Sequence, residues 1–509
     1  MKNVAGDNNL IITNTFYLYT RTLLVILVNL FASRVVLDAL GVTDYGIYTI
    51  VGGIVSVVGL FQSVMASAVS RFFTIELGRD NLEGLNKYFN TVVIIYIFIA
   101  LLFLLIAETV GLWFLQNEII IPVERLNAAF WVYQFSVITF VASIFSVSYN
   151  AIIMSYERFS VFAVIGIIEV FIKVLFILIL LYTKFDKLIF YSFSMFVIAV
   201  AVFFMNYLYC KRNYVETRFT FFWDKAMFKE MLAFSFWSLF GSVSSVARNQ
   251  GISIILGMFF NPAISAARGI SYQVNDGIMQ LSHNFFAAVR PQIIKNHARN
   301  ERENMLSLVF GSSKYSFYLL MLIAVPIILE TPFLFSIWLI DTPDYAVLFT
   351  RILVLTSLID VLAYPLITAI NANGNIKWYQ IITGSVLIMA LPISYVFLYY
   401  GYAPVSVMYV SLVISIVAQC SRIVFVRHFF KIRFSTYVKK IILNILCVFS
   451  SSLISPLIVI WLLPSDLFRF ILIIVVSLIS SLLMIYFVGL QNAERAYVHK
   501  LGKKYLYKK

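Results

Sequence analysis

Ionisable side chains interrupt stretches that are otherwise apolar: Arg21, Glu169, Lys173, Arg248, Arg268, Asp276, His283 and Asp360. A charge facing lipid at mid-bilayer costs at least ~2.5–3.5 kcal/mol, so such residues face a protein interior or a water-filled cavity. At 100° per residue, Arg268, Tyr272, Asn275, Asp276, Ser282 and His283 fall within roughly a 120° arc. Ser235, Ser238, Ser242, Ser245 and Asn249 recur at spacings of three and four and share another helical face. A third stripe, Thr49, Gly52, Ser56, Ser63, Ser67 and Ser70, holds small residues, for which close helix packing is a sufficient account. Arg21, Arg248 and Arg268 with Lys173 would make a cationic chamber suited to an anionic substrate, because guanidinium takes phosphate oxygens bidentately. Purely structural pairing is the alternative. Glu169 and Lys173 sit four apart and can pair on one helix, as can Arg34 and Asp38.

The chemistry implied is binding, not catalysis. The sequence carries no Gly-rich phosphate loop, zinc spacing or nucleophile motif, and His283, His297, His428 and His499 are scattered. Cys210, Cys420 and Cys447 lie in or beside apolar runs and read as small apolar residues. No cofactor or metal is expected. With no nucleotide-binding motif, the expected drive is an ion gradient, and coupling by H⁺ or Na⁺ needs an ionisable group that alternates its partners. Asp276 is the first candidate, to be released from Arg268 when an anion arrives; Asp360 and Glu169 follow. A fixed counter-ion role for Asp276 is the competing reading.

The surroundings of these residues define a membrane. Of 509 residues only 12% are charged, about half the ~25% of soluble domains. Hydrophobic residues reach 61% and mean hydropathy is +0.93. Each span needs ~20 mostly apolar residues. Fourteen are expected, from Leu10–Val36 and Tyr45–Ser67 through Met231–Phe259 and Ile264–Val289 to Phe468–Val488. The apolar stretch after Met1–Asn9 is too long for a cleavable leader, so it is expected to remain as a span. With the N-terminus inside, the cytoplasmic segments collect twenty-seven of the 38 Lys and Arg residues and the opposite ones six. That satisfies the positive-inside rule with both termini cytoplasmic. Topology thus explains the net charge of +14, and the basic tail Lys500–Lys509 is expected against anionic lipid, not nucleic acid.

A shift of about 219 residues lays Val289-Arg290-Pro291 on Ser70-Arg71-Phe72, and Thr368-Ala369-Ile370 on Asn150-Ala151-Ile152. The shift is six spans, which keeps both copies in one orientation and implies a parallel repeat. The expected fold is an all-α polytopic membrane protein: two six-helix lobes, 1–210 and 211–430, around a central cavity. A helix pair with the basic tail, 431–509, follows. Arg71 and Arg290, at the inner ends of matching spans, are candidates for a cytoplasmic gate.

The run Ala39-Leu40-Gly41-Val42-Thr43-Asp44-Tyr45-Gly46-Ile47-Tyr48, followed by Ser70-Arg71-Phe72, resembles bacterial polysaccharide flippases. These are the O-antigen and capsule exporters of the multidrug/oligosaccharidyl-lipid/polysaccharide superfamily. Ala267-Arg268-Gly269-Ile270, Tyr272-Gln273-Val274-Asn275 and Pro291-Gln292-Ile293-Ile294-Lys295 add to the likeness, which runs from about Asn14 to Arg433. The resemblance implies an oligosaccharide on undecaprenyl diphosphate, turned from the inner to the outer leaflet of the bacterial cytoplasmic membrane by alternating access. A polysaccharide polymerase is a conceivable partner. Related lipid II flippases place arginines on spans 1, 2 and 8; Arg21 and Arg268 match the first and third, and span 2 here has no mid-membrane arginine. The alternatives are a cation-coupled multidrug exporter of the same superfamily, or a membrane polymerase or glycosyltransferase.

Overall fold

The structure, a computed structural model, describes residues 13–25, 28, 32, 35–36, 38–41, 44, 47–48, 59–117, 121–260, 262–339, 342–431, 434–492 and 494–496. Arg34, Tyr45, Gly46, Thr49, Gly52, Ser56, His499 and Lys500–Lys509 lie outside them, as does the side chain of Ser63.

The described chain is helical throughout, with no strand among the described residues. After a helical stretch at 13–25 come α1 (Gly59–Gly78), α2 (Leu82–Ile106), α3 (Leu126–Ser155), α4 (Phe159–Tyr182) and α5 (Lys187–Asn213). The middle of the chain forms α6 (Lys225–Phe259), α7 (Pro262–Ala298) and α8 (Arg302–Trp338). Next are α9 (Ala346–Asp360), α10 (Ala363–Asn373), α11 (Lys377–Ile388), α12 (Ala390–Tyr399), α13 (Val405–Phe430), α14 (Leu443–Leu462) and α15 (Leu467–Met484). Among the described residues ten helical stretches are long and apolar enough to cross a membrane. The polar helices α6 and α7, at 35 and 37 residues, are longer than a span needs but stand outside those ten.

Packing divides the chain into two compact units: Met1–Leu239 with Ile294–Glu301, and Phe240–Ile293 with Arg302–Lys509. The division falls within α6 and α7, not in the loop before α6, so both polar helices supply residues to both units.

In the first unit α3 and α5 lie side by side, with Asn206 donating to Ser146 Oγ at 3.2 Å and Tyr149 meeting Phe203 edge to face. Tyr133 OH donates to the Ala107 carbonyl at 2.8 Å, where a π turn over Ala107–Gly111 interrupts the ordinary ladder. At one end Arg125 bridges Asp44 and Asp186, the latter at 2.6 Å. Asp186 also caps α5 by accepting from the Leu188 and Ile189 amides. Burial raises the Asp186 carboxyl, but the bonds from Arg125 and these amides hold it below its ordinary value.

In the second unit α8 kinks at Glu330, between Pro326 and Pro332. Proline at 332 has no N–H to offer the Ile328 carbonyl four residues back. Arg351 of α9 donates to that carbonyl at 2.8 Å and to Leu329 O at 3.2 Å. Glu330 itself, only 2% exposed, pairs with Arg469 at the start of α15 at 2.9 Å. Sixteen residues earlier on α8, Lys314 is 4% exposed. It meets the Glu494 carboxylate at 2.7 and 2.9 Å and the Gly489 carbonyl at 3.2 Å. Burial pushes the Glu494 carboxyl up; bonds from Lys314 and Tyr315 outweigh this and hold it low. The C-terminal helix pair is therefore clamped to α8 at two heights by buried ion pairs.

Removing one partner of a buried pair strands the other charge, at about 3–5 kcal/mol. Glu494→Gln should therefore lower the detergent-solubilised melting temperature markedly, and Lys314→Met added to it should restore most of the loss. An unchanged melting temperature for the single variant would show that the clamp bears no load.

Candidate functional site

Arg21, in the helical stretch 13–25, is half-buried against α4. Its guanidinium carbon stands 4.5 Å from the centre of the Phe162 ring, and a Cβ on Gly166 would run into Arg21 Nε. Phe162, Gly166, Glu169 and Lys173 recur at spacings of three and four, so a single face of α4 receives the arginine. Glu169 acts electrostatically on both Arg21 and Lys173. The expected Glu169–Lys173 couple is thus part of a group that includes Arg21. Sequence reading missed Gly166 and Phe162; a small residue four positions from an aromatic is too common a signal to have found them.

The second unit holds the other two arginines. Arg268 of α7 is 7% exposed. It donates to Ser253 Oγ and, at 2.7 Å, to the Asn249 carbonyl, with Tyr272 under its guanidinium at 4.3 Å. Tyr272 OH donates to Asn249 Oδ1 at 3.4 Å. These partners are a hydroxyl, a carbonyl and a ring. Among the described residues no carboxylate forms an ion pair with Arg268, so its charge is not neutralised locally. Arg248 of α6 donates to Ser415 Oγ at 3.1 Å and faces Asp360 Oδ2 at 3.6 Å. Ser415 donates to the same carboxylate at 3.3 Å. The two residues without partners in sequence, Arg248 and Asp360, are thus each other's partners. Arg248 and Arg268 lie near enough to act on one another electrostatically.

Asp276 does not reach Arg268. Eight residues of helix advance roughly 12 Å and leave the two side chains about 80° apart in direction. Arg268, Asn275 and Ser282 form the buried edge of the stripe, whereas Asp276 and His283 are exposed. Asn275 Oδ1 accepts from Ser357 at 2.6 Å, and the His283 ring lies 4.9 Å from Tyr364. Seven residues along the helix, His283 lies near enough to act on Asp276 electrostatically. Asp360, not Asp276, is the carboxylate held by an arginine. The α6 stripe Ser235, Ser238, Ser242, Ser245 and Asn249 is buried or half-buried at every position.

Of the two gate candidates, Arg71 belongs to the first unit and Arg290 to the second. Arg71, 5% exposed, is sandwiched between Phe72 at 4.8 Å and Phe234 at 4.7 Å. Nearby, Lys295 pairs with buried Glu157 at 2.5 Å, and Arg299 donates to the Gly78 carbonyl at 3.1 Å. His297, beyond the expected span, is held below its ordinary pKa first by burial and then by Arg71 and Arg79.

No protein-family profile and no curated protein matches the sequence. Solved structures do. The chain is similar to a multidrug-resistance MATE transporter of the MOP superfamily in an outward-facing conformation, with a TM-score of 0.71 and 13% identity over 85% of this chain and 96% of that one. A MOP superfamily transporter from Pyrococcus furiosus, for which a binding pocket of reverse polarity suggests a different function, gives 0.69 and 13% over 84% and 97%. The MATE transporter ClbM in complex with Rb⁺ gives 0.64 and 13% over 80% and 94%. The chain therefore has the MATE fold, as the all-helical polytopic reading required.

Two outcomes test this geometry. Overpacking at a closed contact costs about 1–3 kcal/mol, so Gly166→Ala should lower the melting temperature, and Arg21→Ala should relieve much of that loss. Additive effects in this double-mutant cycle would mean that the two do not touch. His297, with its folded pKa lowered, favours the neutral ring; protonation begins in the unfolded chain below about 6.5. Its share of stability is present above that pH and is lost as pH falls below it. His297→Gln should flatten the decline in melting temperature between pH 7 and 5 relative to the parent.

Proposed function

We propose that the chain is a flippase for an oligosaccharide on undecaprenyl diphosphate, moving it from the inner to the outer leaflet of the bacterial cytoplasmic membrane by alternating access. The observation that carries this reading is the buried guanidinium of Arg268, surrounded by hydroxyl, carbonyl and ring with no acid among its described partners. Such a group is prepared for an anion, and a diphosphate supplies paired oxygens for its planar fork. Arg21, also stacked on a ring, is the matching group in the first unit. Tyr272, Asn275, His283, Lys173 and Arg248 serve sugar or phosphate contacts. The reading includes membrane lipids and a polysaccharide polymerase as partners, and no nucleic acid.

A cation-coupled multidrug exporter is the second reading, and the fold it shares with MATE transporters favours it directly. Positively charged drugs would meet repulsion at Arg268 and Arg21, which weighs for an anionic cargo. In either case H⁺ or Na⁺ is the coupling ion proposed. Asp360 is the carboxylate suited to it, because an arriving anion can draw Arg248 away and leave the acid to take the ion.

In cells dependent on this protein for surface glycan, Arg268→Ala should reduce display at least about tenfold, the worth of a charged hydrogen-bonding group, with the protein still in the membrane; Lys should restore part. Normal display in Arg268→Ala and Arg21→Ala, together with drug efflux by the parent, would move the assignment to the second reading. In reconstituted vesicles, Asp360→Asn should abolish the response to an imposed pH or Na⁺ gradient while Asp276→Asn keeps it.

A further inference from the structure

Outside the arginine sites, the described residues of the first unit form an open groove of about 570 Å³ between α4 and α5, within the ~300–1,000 Å³ usual for bound ligands. It is lined by Ser160, Val161, Val164, Ile165 and Ile168 of α4, and by Met205, Leu208, Tyr209, Arg212 and Asn213 of α5. The short connection between the helices makes them antiparallel neighbours. Ser160 is thus level with Arg212 and Asn213, and Ile168 with Met205. The groove is polar at its mouth and apolar eight residues deeper, roughly 12 Å along the helix axis.

Charge at the mouth is of one sign. Arg212 is exposed there, Arg158 and Lys211 are its exposed neighbours in the chain at the same helix ends, and no acidic residue lines the groove. Among the described residues neither Arg158 nor Arg212 forms an ion pair. The face of α4 that receives Arg21 points elsewhere, since Phe162, Gly166 and Glu169 are absent from the lining. A ligand that fits carries a negative headgroup over a hydrocarbon chain.

We propose that this groove is a binding site for an anionic glycerophospholipid, its phosphate at Arg212 and Asn213 and an acyl chain along Val164, Ile168, Met205 and Leu208. This site is independent of the transported cargo.

Native mass spectrometry of the full-length protein, titrated with phosphatidylglycerol or phosphatidylcholine of equal chain length, tests it. The parent should retain phosphatidylglycerol in preference. Arg212→Gln should cut that retention about fivefold, the effect of one basic residue worth about 1 kcal/mol near an anionic headgroup. Lys184→Gln, an exposed cation outside the groove, should leave it unchanged, and Val164→Trp should lower retention of both lipids by filling the groove. Equal retention of the two lipids by the parent, or parental retention by Arg212→Gln, would overturn the proposal. So would displacement of phosphatidylglycerol by equimolar undecaprenyl phosphate, which would give the groove to an isoprenoid chain.

Discussion

A side-chain cation withdrawn from water needs compensation worth several kcal/mol, and this requirement organises the molecule. Arg125 answers it with two carboxylates, Arg469 with Glu330, Lys295 with Glu157 and Arg248 with Asp360. Each of these arrangements sets a carboxylate against the cation and ties together segments distant in sequence. Arg268 is handled differently: a ring, a hydroxyl and a carbonyl supply its contacts, whereas Arg21 stacks on Phe162 within reach of the Glu169 charge. The difference separates cations paired with acids from one that is not.

The same distinction explains why the fold alone leaves the cargo open. Transporters at 13% identity share this architecture, and a fold hosts many functions through the sites placed on it. Here the polar side chains are concentrated on the long helices α6 and α7. Those helices contain enough serine, asparagine and charge to stand apart from the ten apolar crossings.

Much of this was legible in the residue order. Composition alone required an all-helical membrane protein, and helical periodicity isolated the α6 and α7 stripes. What it could not supply were partners on other helices. Arg248 meets Ser415 across 167 residues of chain, a pairing that no local spacing encodes. Asp276 shares an angular stripe with Arg268 two turns away, and nothing in that spacing tells whether the two side chains meet. Asp44 was quoted only as part of a family-like run, and its service to Arg125 depends on α3 and α5 arriving beside it. Gly166 carries no charge and so drew no notice, yet it makes room for Arg21.

The clamps on α8 bear on how the chain is made. Lys314 and Glu494 are 180 residues apart, and ribosomes add about 5–20 residues per second. For roughly 10–40 seconds after α8 emerges, its lysine has no carboxylate from the C-terminal segment to meet. During that interval α8 must shelter two charges, Lys314 and Glu330, beside the insertion machinery or at the lipid headgroups. Final seating of α8 thus waits for the segments that carry Arg469 and Glu494, which complete its ion pairs.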